Sequence, residues 1–147
     1  MSGATATPKL VADSLRAHLS DRIVSLLCYN IAFFELEVRF KLISTSHFRR
    51  GVDIKAKHNK YGRYYLIEAK GAKDGSSEEV AFVYSLGQII TRMNTSGKTR
   101  YYYGLGLPKG AADKAIRRIP HQIAMKLLLH VFSVDGKGNV IRYMPKD

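Results

Sequence analysis

Asp53, Glu68 and Lys70 are the residues of this chain whose types and spacing could do hydrolytic chemistry together. They lie in "GVDIKAKHNKYGRYYLIEAKG", residues 51–71, which reads as two strands joined by a basic turn. Side chains alternate between the faces of a strand. Val52, Ile54 and Ala56 therefore oppose Asp53, Lys55 and Lys57, and Tyr65, Ile67 and Ala69 oppose Tyr64, Leu66, Glu68 and Lys70. If both apolar sets face one core, Asp53, Glu68 and Lys70 share the other face. A hairpin turning between Lys60 and Tyr61 sets Asp53 directly across from Glu68, with Cβ atoms about 5 Å apart. Other registers of the same parity place the two diagonally.

Like charges facing each other across a sheet are destabilising, so a cation should compensate. Lys70, two positions from Glu68, is one candidate. A hard divalent ion is the other, since Mg²⁺ typically takes one or two carboxylates and completes its shell with water. At a phosphodiester, such an ion polarises the phosphoryl oxygen and acidifies a bound water. A neighbouring lysine can orient that water or offset charge developing on phosphorus. A plain solvated strand pair carrying Asp, Glu and Lys outward has the same alternation, and spacing by itself leaves both readings open.

The elements that must position these residues follow from the hydropathy pattern. Residues 1–8 read as a flexible lead-in, and 9–147 as one domain, since 147 residues at 46% hydrophobic content suit a single core. Leu15, Leu19, Ile23 and Leu26 recur at helical spacing between about Lys9 and Tyr29. "FELEVRFKL" alternates as a strand, and "STSHFRRG" reads as a polar break before the two strands above. A loop, "GAKDGSSEE", precedes a helix expected from Glu79 to Met93, with Val83, Leu86, Ile90 and Met93 as its inward stripe. Gly87 in mid-helix costs about 1 kcal/mol against alanine, which predicts a close contact there. "TRYYYGLGL" predicts a further strand. A helix follows over roughly Ala111 to Leu129, with Pro120 breaking or kinking it, and a hairpin turns around Asp135 to Asn139. The order α-β-β-β-α-β-α-β-β describes a mixed α/β layer protein, a central sheet flanked by helices.

Charge is the strongest global signal. Twenty-four Lys and Arg stand against twelve Asp and Glu, a formal net charge of +12. Such a balance points to a polyanionic partner, most often nucleic acid. No run of about 18 apolar residues predicts a membrane span. The N-terminal "MSGATATPK" has no apolar secretory core, so a cytoplasmic location is expected. The single cysteine, Cys28, lies in the apolar run "IVSLLCY" and reads as a buried small hydrophobe rather than a catalytic thiol.

"GVDI" on one strand and "YLIEAKG" on the next resemble the bipartite signature of the PD-(D/E)XK nuclease superfamily, in which Asp is followed by Glu-x-Lys at the end of the adjacent strand. "YSLGQIITRM" adds to the likeness, because several branches carry a Gln on that helix. The element order over residues 10–108 also resembles the superfamily's αβββαβ core. The resemblance implies a restriction-endonuclease-like fold with a C-terminal helix and hairpin appended. It implies Mg²⁺-dependent hydrolysis of DNA phosphodiesters, with Mn²⁺ able to substitute. Asp53 and Glu68 would hold the metal together with the Ala69 carbonyl, Lys70 would place or activate water, and Gln88 would orient a neighbour or that water. Val52 stands where the signature usually has Pro. An acidic residue from the first helix is often added in the superfamily; Asp13 and Asp21 are available there, Glu37 on the first strand is a third possibility, and the choice among them stays open.

Arg49, Arg50, Lys55, Lys57, Lys60 and Arg63 flank or dress the predicted hairpin and are the expected phosphate contacts. "YYYGLGLPKG" lacks the form of a phosphate-binding loop and reads as a strand-to-helix turn. The five histidines show no close metal-ligand spacing, and Tyr101 to Tyr103 read as alternating strand packing. Cutting both strands of a duplex, or a branched junction, requires two sites, so a homodimer is expected. A non-catalytic nucleic-acid-binding module, or a basic subunit of a larger nuclease or recombination complex, is the alternative.

Overall fold

The computed structural model describes residues 40–45, 52–58, 60–72, 75–94, 97 and 99–143. Among the described residues, six strands form one sheet in chain order: β1 (Phe40–Thr45), β2 (Ile54–His58), β3 (Arg63–Ala69), β4 (Arg100–Pro108), β5 (Leu129–Val134) and β6 (Val140–Tyr143). The β1–β2, β2–β3 and β5–β6 pairs are antiparallel, whereas β3–β4 and β4–β5 are parallel. The parallel steps are bridged by helices, as parallel connections require. Helix α1 (Gly75–Thr91) joins β3 to β4, and α2 (Lys109–Arg118) with α3 (His121–Leu127) joins β4 to β5. The mixed α/β architecture expected from the sequence is present.

The sheet is buried on both faces. Ile54, Ala56, Tyr65, Ile67, Phe132 and Val134 pack together on one of them. On the other, Leu66, Tyr103, Leu105, Leu107, Leu129 and Val131 lie under the helices. Helix α1 rests on β3 and β4, α2 on β4 and β5, and α3 on β5. Helices α1 and α2 meet through ion pairs of Glu78 with Lys114 (3.6 Å) and of Glu79 with Arg118. A Cβ on Gly110 would run into the Glu78 carboxylate, so that position keeps the two helices close.

Several expected boundaries shift. Strand β1 runs on through Ser44 and Thr45, which the polar composition assigned to a break; both pair with β2 after a bulge between Leu42 and Ser44. Backbone ladders are indifferent to side-chain polarity, so a neighbouring strand extends pairing into a polar segment. Residues 34–39 of the strand expected there, and the expected first helix, lie outside the described residues. Helix α1 begins at Gly75, four residues before the expected start. Pro120 does break the predicted last helix: α2 ends at Arg118, and α3 starts immediately after the proline. Leu128, in the left-handed region at φ 52°, then turns the chain into β5. The terminal hairpin forms as expected, with the Asp135 carboxylate accepting the Lys137 and Asn139 backbone N–H groups at 2.9 Å each.

The inward face of α1 differs from the predicted stripe. Ala81, Phe82, Ser85 and Ile89 are buried, whereas Val83 and Ile90 are about half exposed. This helix carries apolar residues on nearly every side, so periodicity alone does not select the packed one. The packed side is the one with small residues, Ala81 and Ser85, which let the helix lie close to the sheet.

Candidate active site

The β2–β3 ladder pairs Ile54 with Ile67, Lys55 with Leu66, Ala56 with Tyr65 and Lys57 with Tyr64. This is the register of a hairpin turning between Lys60 and Tyr61, so Asp53 stands one step beyond the last pair, opposite Glu68. There the strand bends, and the Asp53 carboxylate accepts the Ala69 backbone N–H at 2.8 Å. That bond fixes the carboxylate at the end of β3, beside Glu68.

The shared face is as expected, but its environment is not. Glu68 is 1% exposed and lies on the helix-covered side of the sheet. The expectation of a solvated face assumed that a two-stranded alternation has only one core. Strand β3 is instead central in a sheet buried on both sides, and the face that reads as polar in β2 is covered by α1 over β3. A plain solvated strand pair is therefore not what forms.

Two cations answer the buried carboxylate. Lys70 Nζ lies 3.7 Å from Glu68 Oε1, and Arg92 Nη1, just past the end of α1, donates to Glu68 Oε2. Lys70 is held in place by its own N–H, which donates to the Gly106 carbonyl at 3.0 Å and continues the β3–β4 ladder past Ala69. Burial nevertheless pushes the Glu68 carboxyl above the ordinary carboxylate value, and the Asp53 charge adds to the rise; Arg92 and Lys70 oppose it. Two carboxylates and two cations thus meet at this point, with the desolvated Glu68 at their centre.

Arg92 was not singled out by the sequence. The available signal was its spacing: it follows Gln88 by four residues, so the two stack on one side of a helix. Gln88 is on α1 as expected, and its Oε1 is buried without a hydrogen-bond partner among the described residues. Buried polar atoms are rarely left unpaired, so this oxygen is a candidate acceptor for a water or a ligand.

Among the described residues, no group of three or more His, Cys, Asp or Glu converges. Among the described residues, the carboxylates that could donate to a metal here are Asp53 and Glu68. Such an all-oxygen pair, supplemented by a backbone carbonyl and water, fits a hard cation such as Mg²⁺ and does not fit the N/S-rich sites of zinc. Ala69 occupies the last position of β3, adjacent to both carboxylates.

The expected phosphate contacts separate into groups. Lys55 and Lys57 share the carboxylate face and lie over the Tyr64 ring, 4.9 and 5.9 Å from its centroid. Tyr64 stacks on Tyr101 at 5.6 Å, and Tyr101 on Tyr103 at 6.3 Å, so an aromatic row extends along this face. Lys60 is exposed in the turn. Arg63 begins β3 on the opposite face, with its guanidinium 5.0 Å from the Tyr61 centroid. Lys60 and Arg63 thus do not join the carboxylates: five residues of strand, roughly 17 Å, separate Arg63 from Glu68. Arg49, Arg50, Asp13, Asp21 and Glu37 lie outside the described residues. "YYYGLGLPKG" forms β4 and the entry to α2, with Tyr101 and Tyr103 on one face and Tyr102 on the other.

No protein-family model, no curated protein and no solved structure matches the chain. No helix among the described residues is long and apolar enough to cross a membrane.

Proposed function

We propose that this protein is a Mg²⁺-dependent endonuclease acting on DNA, with a restriction-endonuclease-like core. The observation that carries the reading is the convergence of Asp53, Glu68 and Lys70 on one sheet face, in a chain of net charge +12. Asp53 and Glu68 would hold the metal, with the Ala69 carbonyl as a third protein donor. Bound there, Mg²⁺ or Mn²⁺ would supply Lewis-acid polarisation and a more acidic water.

The chain's own groups have distinct parts in this scheme. The Ala69 N–H fixes the Asp53 carboxylate in place. Lys70, with its side chain 31% exposed, reaches the surface beside Glu68, where it can orient a water and offset charge on the phosphate. Gln88 Oε1, without a partner among the described residues, can accept a hydrogen bond from that water. Arg92 acts through Glu68 and is a positioning residue. Lys55 and Lys57, on the same face, suit phosphates flanking the reacting one, and supply salt-dependent, sequence-independent affinity.

One observation favours a second reading, a non-catalytic nucleic-acid-binding module or a basic subunit of a larger complex: Lys70 and Arg92 already neutralise Glu68. Titrating Mg²⁺ and Mn²⁺ into the purified protein with plasmid, single-stranded and branched DNA, and with RNA, separates the two. Metal-dependent cutting that disappears in Lys70→Ala supports the nuclease. Salt-sensitive binding with no cutting of any substrate supports the module.

A further inference from the structure

Among the described residues, each carboxylate of the site has one oxygen engaged in a hydrogen bond and one that is not. Asp53 Oδ2 accepts the Ala69 backbone N–H at 2.8 Å, and Glu68 Oε2 accepts from Arg92 Nη1. Glu68 Oε1 faces Lys70 Nζ at 3.7 Å, an ion pair longer than a hydrogen bond. The two cations are held differently. Arg92 stands in the turn that closes α1, where its own N–H donates to the Ile89 carbonyl at 3.1 Å. Two residues on, the Asn94 N–H donates to the Tyr103 hydroxyl at 2.9 Å and ties this turn to β4. A cation at a helix C-terminus also meets the negative end of the helix dipole. The Lys70 ammonium ends a flexible stem, 31% exposed, that can swing toward water.

With Asp53 and Glu68 read as the metal donors, as proposed above, we propose that Arg92 determines which divalent cation the site accepts. It confines Glu68 to coordination through one oxygen, and so favours Mg²⁺ or Mn²⁺ over Ca²⁺. A cation on both oxygens of Glu68 would share Oε2 with the guanidinium. Glu68 is 1% exposed, and like charges in so desolvated a place are poorly screened. Coordination through Oε1 alone leaves Arg92 on the other oxygen, and the loosely held Lys70 gives way. Ca²⁺ takes about six to eight oxygens and commonly a bidentate carboxylate, whereas Mg²⁺ accepts one oxygen from each carboxylate and keeps several waters. Asp53 imposes the same limit, because its Oδ2 is committed to the Ala69 N–H. Lys70 and Arg92 also balance the two carboxylates, so no surplus negative charge holds a large ion by attraction alone. Arg92 touches no metal in this arrangement; it acts through Glu68 as a positioning residue.

Mn²⁺ binding to the full chain without nucleic acid, followed by the enhanced relaxation of water protons, gives an affinity that does not depend on cleavage. Displacement by Mg²⁺ and by Ca²⁺ then ranks the ions. The wild type should bind Mg²⁺ at least about threefold more tightly than Ca²⁺, since neither carboxylate offers both oxygens. In Arg92→Met that preference should fall at least about tenfold, through tighter Ca²⁺ binding, because Glu68 can then coordinate with both. Arg92→Lys keeps a cation at Oε2 and should retain the wild-type ranking. Circular dichroism checks the fold of each variant; where Arg92→Met fails to fold, Arg92→Gln, which keeps a neutral donor for Oε2, takes its place. A wild type that binds Ca²⁺ as tightly as Mg²⁺ overturns the proposal. So does an Arg92 variant that gains affinity for both ions equally, which would make the arginine a plain competitor. Mn²⁺ binding with the same Mg²⁺-to-Ca²⁺ ratio in wild type and Arg92 variants overturns this proposal alone. A wild type that binds none of the three ions overturns the metal-site reading and this proposal with it.

Discussion

The Asp53 carboxylate accepts the Ala69 backbone N–H at 2.8 Å, so one acid of the site is tied to the strand that carries the other. Asp53→Asn keeps an oxygen able to accept that bond and removes only the charge. The folded structure should therefore survive with its melting temperature within a few degrees of wild type. DNA cleavage should fall at least about 100-fold, the scale of losing a positioned catalytic group. Mg²⁺ at ten times its Kd should stabilise the wild type by about 1.4 kcal/mol and leave Asp53→Asn unmoved. Equal thermal shifts in both proteins would remove Asp53 from the metal site.

Glu68 gives the fold a pH dependence of definite sign. Its folded pKa is raised above the ordinary value of 4.5. Between 4.5 and that raised value the native state holds a proton the unfolded state has released, so stability falls as pH rises through the window. Removing Arg92 takes away a compensating cation and widens the window upward. Arg92→Met should cost about 2 kcal/mol at pH 8, below the fully buried range because the arginine side chain is 29% exposed. The cost should shrink as pH falls toward 4.5. Denaturant melts of wild type, Arg92→Met and Arg92→Met/Glu68→Gln across pH measure it; a pH-independent cost would mean that Arg92 acts by packing alone.

On the opposite face, His130 contributes with the reverse sign. It is buried, meets the Tyr65 hydroxyl through Nδ1, and burial with the nearby Arg142 charge lowers its pKa to about 4. Between about 4 and the ordinary 6.5 the unfolded chain binds a proton that the native chain refuses. Stability is then full above 6.5 and is lost as pH falls toward 4, by roughly 3 kcal/mol. His130→Gln should flatten that acid limb in melts between pH 4 and 7. An unchanged limb would place the titration elsewhere.

Gly104 lies where β4 runs close against the cluster of Tyr65, Ile67 and Phe132. A Cβ there would lie 2.8 Å from Phe132 Cε2, 3.0 Å from Ile67 Cγ1 and 3.2 Å from Tyr65 Cε1. All three are buried side chains that would have to move. Gly104→Ala should destabilise by about 2 kcal/mol, an overpacking cost, read from urea unfolding. Gly87→Ala, with nothing near its Cβ, should instead leave the monomer as stable or more so.

Local pattern was enough for much of the architecture. Alternation and turn chemistry placed β2 to β6, Pro120 placed the break between α2 and α3, and parity placed Asp53 and Glu68 on one face. These features depend on neighbours within a few residues, which a sequence displays directly. Arg92 was hidden because an arginine near a helix end has an ordinary solvated reading, and its partner lies 24 residues away across a crossover.

By itself, the sequence determined the mixed α/β class and, through parity, the single face shared by Asp53, Glu68 and Lys70, whereas the pairing of β2 with β3 chose one register among those of that parity. Strand periodicity leaves little choice in class and face. Only the tertiary structure decided that this face is covered over β3, that Glu68 is thereby desolvated, and which side of α1 packs inward. Burial is a relation between segments distant in the chain, and a helix apolar on nearly all sides cannot declare which of them meets the sheet. That selection sends Gln88 and Arg92 inward and leaves Val80, Val83, Tyr84 and Ile90 on the outside.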